Sequence, residues 1–324
     1  MNIYKLEDLI DRIKINRPKV LVMGDIMLDE YIKGDVKRIS PEAPVPVLRY
    51  NNTKKVLGGA GNVVHNLINI GARSGLLSFV GYDDGGELIK KLLSRLELYE
   101  DLLIQTDNIK TTRKTRFLSN GSHLLRLDID SSGFKDLDYK MLRDRAFESI
   151  SKHDVIIISD YNKGVCLPHL IQNLIVRANS QNIPIFIDPK GKNWDKYLNA
   201  TCLTPNTKET ETYLNRTLKS DSDFEKAARE IKNSLNLKFF LITRGSDGMT
   251  CYDGNNIIHQ KVSQKEVFDV SGAGDTVIAS LAASFCSGFK LKDCLELSSV
   301  LSSEVIAYSG TTPFDTSMLK KVNC

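Results

Sequence analysis

The sequence predicts an α/β protein with a doubly wound, mostly parallel sheet and a small β-strand lid. Three observations carry this prediction. Short apolar runs are unbroken by polar residues, as expected of strands that are covered on both faces. These runs alternate with segments of helical periodicity. Two further segments are strand-like and rich in turn residues, yet neither is followed by a helical pattern.

The strands and helices of the core alternate along the chain. The apolar runs that predict strands cover residues 20–24, 76–81, 155–159, 183–188 and 239–243. The helical patterns cover residues 61–70, 87–96, 139–150, 169–179 and 224–235. Residues 1–14 alternate charged and apolar side chains, which predicts a short amphipathic helix before the first strand.

The two segments that do not fit this alternation are residues 31–50 and 111–128. One interpretation is a pair of separate surface hairpins. The other is a small antiparallel sheet that stands off the core. Such a sheet would cover a site at the carboxyl ends of the core strands, where open α/β sheets bind ligands. We predict the second arrangement, a lid.

The composition is that of an ordinary soluble globular protein. Of 324 residues, 41% are hydrophobic and 26% are charged, and the formal net charge is +4. The basic residues are dispersed and form no long run with interleaved aromatics, which argues against a nucleic-acid partner. No signal-peptide pattern and no run of 18 apolar residues occurs, so we expect no membrane partner. The six cysteines form no CxxC pair, and reduced thiols in a cytoplasmic protein fit this pattern.

A glycine-rich turn at Gly272, Ala273 and Gly274 opens an apolar helix late in the chain. It matches neither the dinucleotide fingerprint nor a Walker sequence. Its amides and the helix dipole predict an anion site, because glycine lets a phosphate approach the backbone. Asp275, in the first turn, has two interpretations. It can interact with the helix dipole, or it can accept a proton from a hydroxyl that attacks a bound phosphoryl group.

A second glycine cluster, Gly58 and Gly59, precedes a helix that carries Asn62 in its first turn. Asn62 both donates and accepts hydrogen bonds, which suits sugar hydroxyls, or it can cap the helix. Asp25 follows the first strand, and Asp29 lies just beyond it. Each carboxylate can accept hydrogen bonds from the hydroxyls of a substrate or from loop amides. All five are candidate substrate-binding residues.

Four motifs, in this order, resemble the ribokinase-like, phosphofructokinase-B family of sugar kinases. They are GGAGN at 58–62, TPNTKE at 204–209, ITRGSDGM at 242–249 and DVSGAGD at 269–275. The last departs from the usual D-T-x-G-A-G-D at Val270, a position that acts through its backbone. The resemblance spans nearly the whole chain. It implies a doubly wound core with a strand lid, and an enzyme that transfers phosphate from ATP to an alcohol, with Mg²⁺ as cofactor.

The same resemblance implies roles for individual residues. Asp275 becomes the proton acceptor, and the amides of Gly272, Ala273 and Gly274 stabilise the transferring phosphoryl group. Asn206 and Glu209 hold the magnesium ion, through water. The full set implied for ATP and magnesium is Asn206, Thr207, Lys208, Glu209, Thr243, Arg244 and Gly245.

Three further stretches, SPEAPVPV at 40–47, SDYNKG at 159–164 and IDPKG at 187–191, resemble the heptose 7-phosphate kinases of ADP-heptose biosynthesis. The implied reaction is phosphorylation of D-glycero-β-D-manno-heptose 7-phosphate at its C1 hydroxyl, a step towards the lipopolysaccharide core. The 7-phosphate needs a basic partner. By family position or lid placement the candidates are Arg38, Arg116, Arg126, Lys163 and Lys190. Lys163 and Lys190 follow core strands and can contact ATP instead.

In that group the kinase is often fused to a carboxyl-terminal nucleotidyltransferase. We expect residues 1–324 to form one kinase domain without it, because no H-x-G-H-type motif occurs. The resemblance also implies homodimerisation through the lid. Two alternatives stay open. One is the same chemistry on another sugar, sugar phosphate or nucleoside. The other is a non-catalytic sensor of sugars or nucleotides, which the retention of Asp275, Asn206 and Glu209 argues against.

Overall fold

The structure is a computed structural model, and it describes residues 3–262 and 268–323. Its α-helices, in chain order, are α1 (Ile3–Asn16), α2 (Ala60–Asn69), α3 (Asp84–Leu93), α4 (Asp136–Ser149), α5 (Pro168–Ser180), α6 (Thr207–Leu214), α7 (Asp221–Ser234), α8 (Ala273–Cys286) and α9 (Leu291–Val305). None of the helices in these ranges has the length and apolar character needed to cross a membrane.

The strands form four sheets. In chain order they are β1 (Lys19–Gly24), β2 (Ile26–Ile39), β3 (Pro46–Gly59), β4 (Arg73–Leu77), β5 (Phe79–Gly81), β6 (Glu100–Asp101), β7 (Ile104–Thr106), β8 (Arg113–Ser119), β9 (Ser122–Ile129), β10 (Val155–Ser159), β11 (Ile185–Asp188), β12 (Cys202–Leu203), β13 (Phe240–Thr243), β14 (Met249–Tyr252) and β15 (Ile257–Gln260).

The central sheet has six parallel strands in the order β12-β11-β10-β1-β4-β6. Successive side chains of a strand point to opposite faces. On β10, Ile156 and Ile157 are both fully buried, and each belongs to a different hydrophobic core. Helices α2, α8 and α9 contribute to the core on one face, and α4, α5 and α7 contribute to the core on the other. The predicted doubly wound α/β architecture is therefore confirmed.

Two predicted strands differ in detail. Residues 76–81 were expected to form one strand, but Ser78 separates β4 from β5. Its hydroxyl donates to the carbonyl of Gly24 at 2.6 Å and accepts from the amide of Ile26 at 3.1 Å, which draws the chain out of the ladder. Residues 239–243 were expected in the parallel core. Residues 240–243 form β13, which pairs antiparallel with β14 in a separate sheet, while a parallel bridge between Thr243 and Asn206 keeps β13 beside the core strand β12.

The lid is a four-stranded sheet of order β3-β2-β8-β9. It consists of two antiparallel hairpins, β2–β3 and β8–β9, joined by parallel pairing of β2 with β8. The predicted lid segments thus lie in one sheet, although the central pairing is parallel and β2 begins earlier, at Ile26. β1, β10 and β11 end side by side at Gly24, Ser159 and Asp188, because these three residues are register partners. The loops that follow these strand ends carry the candidate site.

Candidate active site

A cavity of about 930 Å³ opens at the carboxyl edge of the central sheet. Its walls come from the loops after β10, β11 and β13 and from the first turn of α8. The lining residues used below are Tyr161, Asp188, Lys190, Asn206, Glu209, Thr243, Gly245, Ala273 and Gly274. The structure therefore brings the glycine turn and most of the residues predicted for ATP and magnesium to one cavity.

The first turn of α8 begins at a glycine-rich turn. Gly272 is the N-cap residue with φ of 84°, in the left-handed region that favours glycine. A side chain there would also place its Cβ 2.7 Å from Nδ2 of Asn62. Within the described part of the chain, no residue accepts a hydrogen bond from the amides of Gly274 or Asp275. Free amides at a helix N-terminus bind anions, as the sequence predicts.

Asp275 lies directly behind this turn, beside two residues of the cavity wall, Gly274 and Tyr161. Its side chain is only 2% exposed. Oδ1 accepts a hydrogen bond from the phenol of Tyr161 at 2.9 Å, and Oδ2 accepts one from Nδ2 of Asn62 at 2.7 Å. Burial raises the pKa of Asp275 to about 6, although both donors act to lower it. A carboxylate with this proton affinity can accept a proton near neutral pH.

The second glycine cluster meets the first at this carboxylate. Gly59 is the N-cap residue of α2, with φ of 56°, and Asn62 follows in the first turn. Asn62 does not cap its own helix; its amide reaches Asp275 on α8. The capping interpretation of Asn62 is therefore wrong, and its binding of sugar hydroxyls stays a prediction. Gly58 lies beside the side chain of Asp29.

Asp29 lies on β2, a strand of the lid, and is 4% exposed. Its Oδ1 pairs with Nη1 of Arg116 at 2.7 Å, and its Oδ2 accepts from the hydroxyl of Thr311 at 2.8 Å. The guanidinium of Arg116 also lies over the ring of Tyr31, 5.0 Å from the ring centre. Arg116 is therefore engaged with Asp29, which limits its use as a phosphate ligand.

Asp25 directly follows β1, as predicted. Its carboxylate accepts three backbone hydrogen bonds, from Tyr161 at 2.8 Å, Lys163 at 3.1 Å and Val165 at 3.1 Å. The side chain is 2% exposed. Burial, and then the charge of Asp160, raises its pKa to about 6. Asp25 is thus an anchor for the loop after β10. Of the two interpretations of this residue, the structure supports binding to loop amides.

The residues predicted for magnesium begin α6. Asn206 and Glu209 form a capping box, in which each side chain accepts from the backbone amide of the other residue. Oε1 of Glu209 also pairs with Nζ of Lys190 at 2.6 Å. Lys190 therefore lies on the side of the cavity with Asn206 and Glu209, as its alternative interpretation allowed. The hydroxyl of Thr207 donates to the carbonyl of Thr243 at 3.4 Å.

Three residues predicted for ATP and magnesium, Thr207, Lys208 and Arg244, do not line the cavity. Lys208 is exposed on α6. Arg244 is held at α7, where Nη1 pairs with Asp221 at 2.7 Å and the guanidinium lies 4.1 Å from the ring centre of Phe224. This position corrects the prediction for Arg244, because an ion pair and a cation–π contact hold its charge away from the cavity. The neighbouring Thr243 and Gly245 do line it.

Asp188, at the end of β11, is a site residue that the sequence analysis did not assign. It lines the cavity. Burial, and then the negative charges of Glu209 and Asp275, raises its pKa well above the usual value. Three carboxylates therefore lie near one another on the cavity side of the sheet. The stretch IDPKG contained the signal, since a strand that ends in aspartate places a carboxylate at this edge.

The predicted phosphate-binding cations have separate positions. Lys163 pairs with Asp130 at 2.7 Å, and Arg126 pairs with Asp128 at 2.9 Å. Arg38 is exposed near the far end of β2. It is nine residues beyond Asp29 (38 minus 29), which is about 30 Å along an extended strand. The structure therefore does not bring Arg38 to the same site.

Lys114 on β8 is a further basic residue that the sequence analysis missed. It is half-buried, and its Nζ lies 5.7 Å from the centre of the Tyr161 ring. No described residue forms a hydrogen bond or an ion pair with its ammonium group. Burial lowers the pKa of Lys114, and the charges of Lys163 and Arg126 lower it further, against the effects of Asp29 and Asp128.

Comparison with known proteins agrees with this geometry. The family model described as pfkB family carbohydrate kinase matches residues 17–317, almost the whole chain. This chain belongs to the pfkB family of carbohydrate kinases.

Within the family, the chain is similar to proteins named bifunctional protein HldE. The HldE of Campylobacter concisus is 37% identical over 295 residues, which cover 91% of this chain and 62% of that protein. The HldE of Paramagnetospirillum magneticum is 38% identical over 310 residues, with 95% and 64% covered. This chain thus spans less than two thirds of the length of these relatives.

Solved structures share the fold at low identity. Phosphofructokinase-2 from Escherichia coli, in complex with substrates and products, has a TM-score of 0.80 at 20% identity, with 94% of this chain and 98% of that chain covered. Ribokinase of Arabidopsis thaliana, complexed with ribose and ATP, has a TM-score of 0.71 at 17% identity, with 95% and 99% covered. The predicted ribokinase-like fold is therefore confirmed.

Proposed function

We propose that this sugar kinase phosphorylates D-glycero-β-D-manno-heptose 7-phosphate at the C1 hydroxyl, with ATP as donor, to give heptose 1,7-bisphosphate. One observation carries the chemistry: buried Asp275 adjoins the free amides that open α8 and the wall of the cavity. The stretches that resemble heptose 7-phosphate kinases support the substrate, as does the similarity to proteins named HldE. The reaction would be a step towards ADP-heptose for the lipopolysaccharide core.

In the proposed mechanism, Asp275 takes the proton from the C1 hydroxyl. The C1 oxygen forms a bond to the γ-phosphorus while the bond from that phosphorus to the β,γ-bridging oxygen breaks, and ADP leaves. The amides of Gly272, Ala273, Gly274 and Asp275 stabilise negative charge on the transferring group. Positioning and charge stabilisation do most of the work in such transfers, and the base adds roughly 10²–10⁴-fold.

The nucleotide and its magnesium ion would occupy the cavity beside α6. The oxygens of Asn206 and Glu209 fit a hydrated magnesium ion, because they are hard ligands on the cavity wall. Asp188 adds negative charge there, and the raised pKa of its carboxyl fits a site that a cation completes. Magnesium, when bound, neutralises charge on the phosphates. Thr243 and Gly245 would border the nucleotide.

A basic face of the lid supports a phosphorylated substrate. Lys114 and Arg116 are two residues apart on β8, and Asp128 and Arg126 are their register partners on β9. These four side chains share a face because positions two apart in a strand point the same way. This face points towards Asp29 and Tyr161, because Arg116 pairs with Asp29 and Lys114 lies over the ring of Tyr161. We propose that Lys114, with Arg126 and Lys163, binds the 7-phosphate.

The opposite face of the lid supports homodimerisation, which we also propose. Leu125, Leu127 and Ile129 alternate along β9 and are all exposed, by 62%, 53% and 40%. β9 is moreover an edge strand of the sheet, and unpaired edges favour pairing with another chain. The proposed partner of this face is a second copy of the chain.

Because the reaction consumes ATP, we place the enzyme in the cytoplasm. We also propose that residues 1–324 act as one kinase domain with its lid.

The test is ADP release from a panel of acceptors at one magnesium and ATP concentration. The panel contains heptose 7-phosphate, fructose 6-phosphate, ribose and a nucleoside. We expect the highest kcat/KM for heptose 7-phosphate, with a new anomeric phosphate in the ³¹P NMR spectrum of the product. A preference for another acceptor would overturn the substrate. Tight binding without turnover of any acceptor would overturn the enzyme and favour a sensor.

A further inference from the structure

Both oxygens of the Asp275 carboxylate accept a hydrogen bond, and only one of the two donors, Asn62, lies in a glycine motif that the sequence analysis identified. Asn62 holds Oδ2, and Tyr161, from the loop after β10, holds Oδ1. We propose that Tyr161 is a positioning residue for Asp275, whose phenol fixes the carboxylate in the orientation that proton transfer requires. This inference rests on the proposed role of Asp275 as proton acceptor.

The phenol of Tyr161 is suited to donate and not to ionise. Burial raises its pKa well above the usual value, and the negative charge of Asp275 raises it further. The group therefore stays protonated at neutral pH and donates to Oδ1. Each carboxylate oxygen has two lone pairs. One hydrogen bond to Oδ1 thus leaves a lone pair for the substrate proton, while rotation of the carboxylate is restricted.

The position of the phenol is itself fixed from the sheet. Asp25, directly after β1, accepts hydrogen bonds from the amides of Tyr161, Lys163 and Val165. The loop between β10 and α5 is therefore fastened to the end of the adjacent strand. Because the backbone of Tyr161 is one of the three fastened points, its ring has little freedom to move away from Asp275. Asp25 acts on the site through Tyr161 and does not need to contact substrate.

Several charges face Asp275 from the surrounding elements. Asp29 on β2 and Asp188 at the end of β11 are the neighbouring carboxyl groups, and Asp29 raises the pKa of Asp275. Lys114 on β8 is positive and lowers it. The Tyr161 hydrogen bond also lowers it, because it stabilises the charged form. Loss of the phenol hydroxyl must therefore raise the proton affinity of Asp275.

The test compares Tyr161→Phe with Tyr252→Phe. Tyr252 is a matched control, because its phenol also donates one hydrogen bond, to the carbonyl of Gly254 at 2.6 Å, and it lies outside the cavity. Titration of ¹³C-labelled aspartate carboxyls by NMR, with the Asp275 signal assigned by its loss in Asp275→Asn, needs no substrate. We expect the proton affinity of Asp275 to rise about tenfold in Tyr161→Phe and to be unchanged in Tyr252→Phe.

Kinetics give the second readout. The acidic limb of kcat for heptose 7-phosphate should move to higher pH in Tyr161→Phe, so that kcat at pH 6 falls about fivefold below the wild-type value while KM for ATP is unchanged. An unshifted limb and an unshifted carboxyl titration would overturn the proposal. So would a Tyr161→Phe protein too unstable to assay beside a stable Tyr252→Phe protein, since the hydroxyl would then serve the fold. A shifted titration in a protein that phosphorylates no sugar would leave the positioning contact intact and overturn the proposed function alone.

Discussion

Asn62 donates a 2.7 Å hydrogen bond to Asp275, although the two residues are 213 positions apart in the chain. Both lie in the first turn of a helix that a glycine with positive φ precedes, and the two helices pack against each other. The two glycine motifs therefore build one site. One motif brings the carboxylate and the free amides, and the other brings the amide that holds the carboxylate.

Asp275→Asn should lower kcat by at least about a hundredfold, because the amide cannot accept the substrate proton. Binding of ATP, measured by calorimetry, should persist, since the amides of the first turn remain. Circular dichroism would establish that the variant is folded. Near-normal turnover in a folded variant would contradict the role of Asp275 as proton acceptor.

The wild-type enzyme should lose activity in acid. Asp275 must be charged to accept a proton, and its pKa is raised to about 6. We expect kcat to be constant above about pH 7 and to fall to about a tenth at pH 5. An acidic limb of the kcat profile with its midpoint near pH 4 would contradict the raised pKa of Asp275.

The loss in acid should not be caused by unfolding through the two aspartates with raised pKa values. Asp25 and Asp275 both have a folded-state pKa of about 6, above the value of about 3.9 in unfolded chains. Their protonation therefore stabilises the fold below about pH 4, and this contribution is lost as the pH rises through 6. Thermal melting at pH 5 and pH 7 separates these two groups' effect on folding from the effect on catalysis.

Glu209→Gln should raise the magnesium concentration needed for half-maximal activity, because a neutral amide binds a hard cation less well. The fold should be retained, since glutamine also completes a capping box. Glu211→Gln is the control, because Glu211 lies on the same helix and accepts instead from the amide of Leu218. A magnesium titration identical for both variants would remove Glu209 from the metal site.

Lys114→Met should raise KM for heptose 7-phosphate at least about tenfold, because the phosphate loses a partly buried cation. KM for ATP should stay the same. Lys292→Met, at an exposed position on α9, is the control. An equal effect of Lys114→Met on heptose without the phosphate would contradict phosphate recognition by this residue.

Replacement of Leu125 and Leu127 by Glu should convert the proposed dimer to a monomer, because burying charge without a partner is unfavourable. Light scattering after gel filtration measures the mass directly. Leu137→Glu, at a residue of α4 that is 66% exposed, controls for a general effect of surface charge. A wild-type protein that is already monomeric at high concentration would refute dimerisation.

The core was predictable because its signals are local. The apolar runs of β1 and β10, and the helical patterns of α2 and α5, need no knowledge of distant residues. The break at Ser78 was not predictable, because it depends on hydrogen bonds to Gly24 at the end of β1 and Ile26 at the start of β2. The antiparallel pairing of β13 likewise depends on β14, a strand that follows a short turn and that the sequence analysis did not assign.

The candidate site was predictable where glycines and carboxylates form motifs, as around Asp275 and Asn206. It was not predictable where a side chain has more than one possible hydrogen-bond or ion-pair partner. Asp25 and Asp29 lie four residues apart, and each could bind loop amides or ligand; only the folded chain shows that Asp25 takes three amides and Asp29 takes Arg116. Arg244, Lys114 and Tyr161 illustrate the same difficulty, because a single sequence does not show which partner a basic or aromatic side chain contacts.

The parallel pairing of β2 with β8 determines the order in which parts of the lid can fold. The β2–β3 hairpin can form from neighbouring residues, but β8 joins it only after α2, α3 and the strands between them have been placed. Contacts over such separations are slow to form. During synthesis, the β2–β3 hairpin therefore leaves the ribosome before its partner strand β8, and the lid can be complete only when residue 129, the end of β9, has emerged.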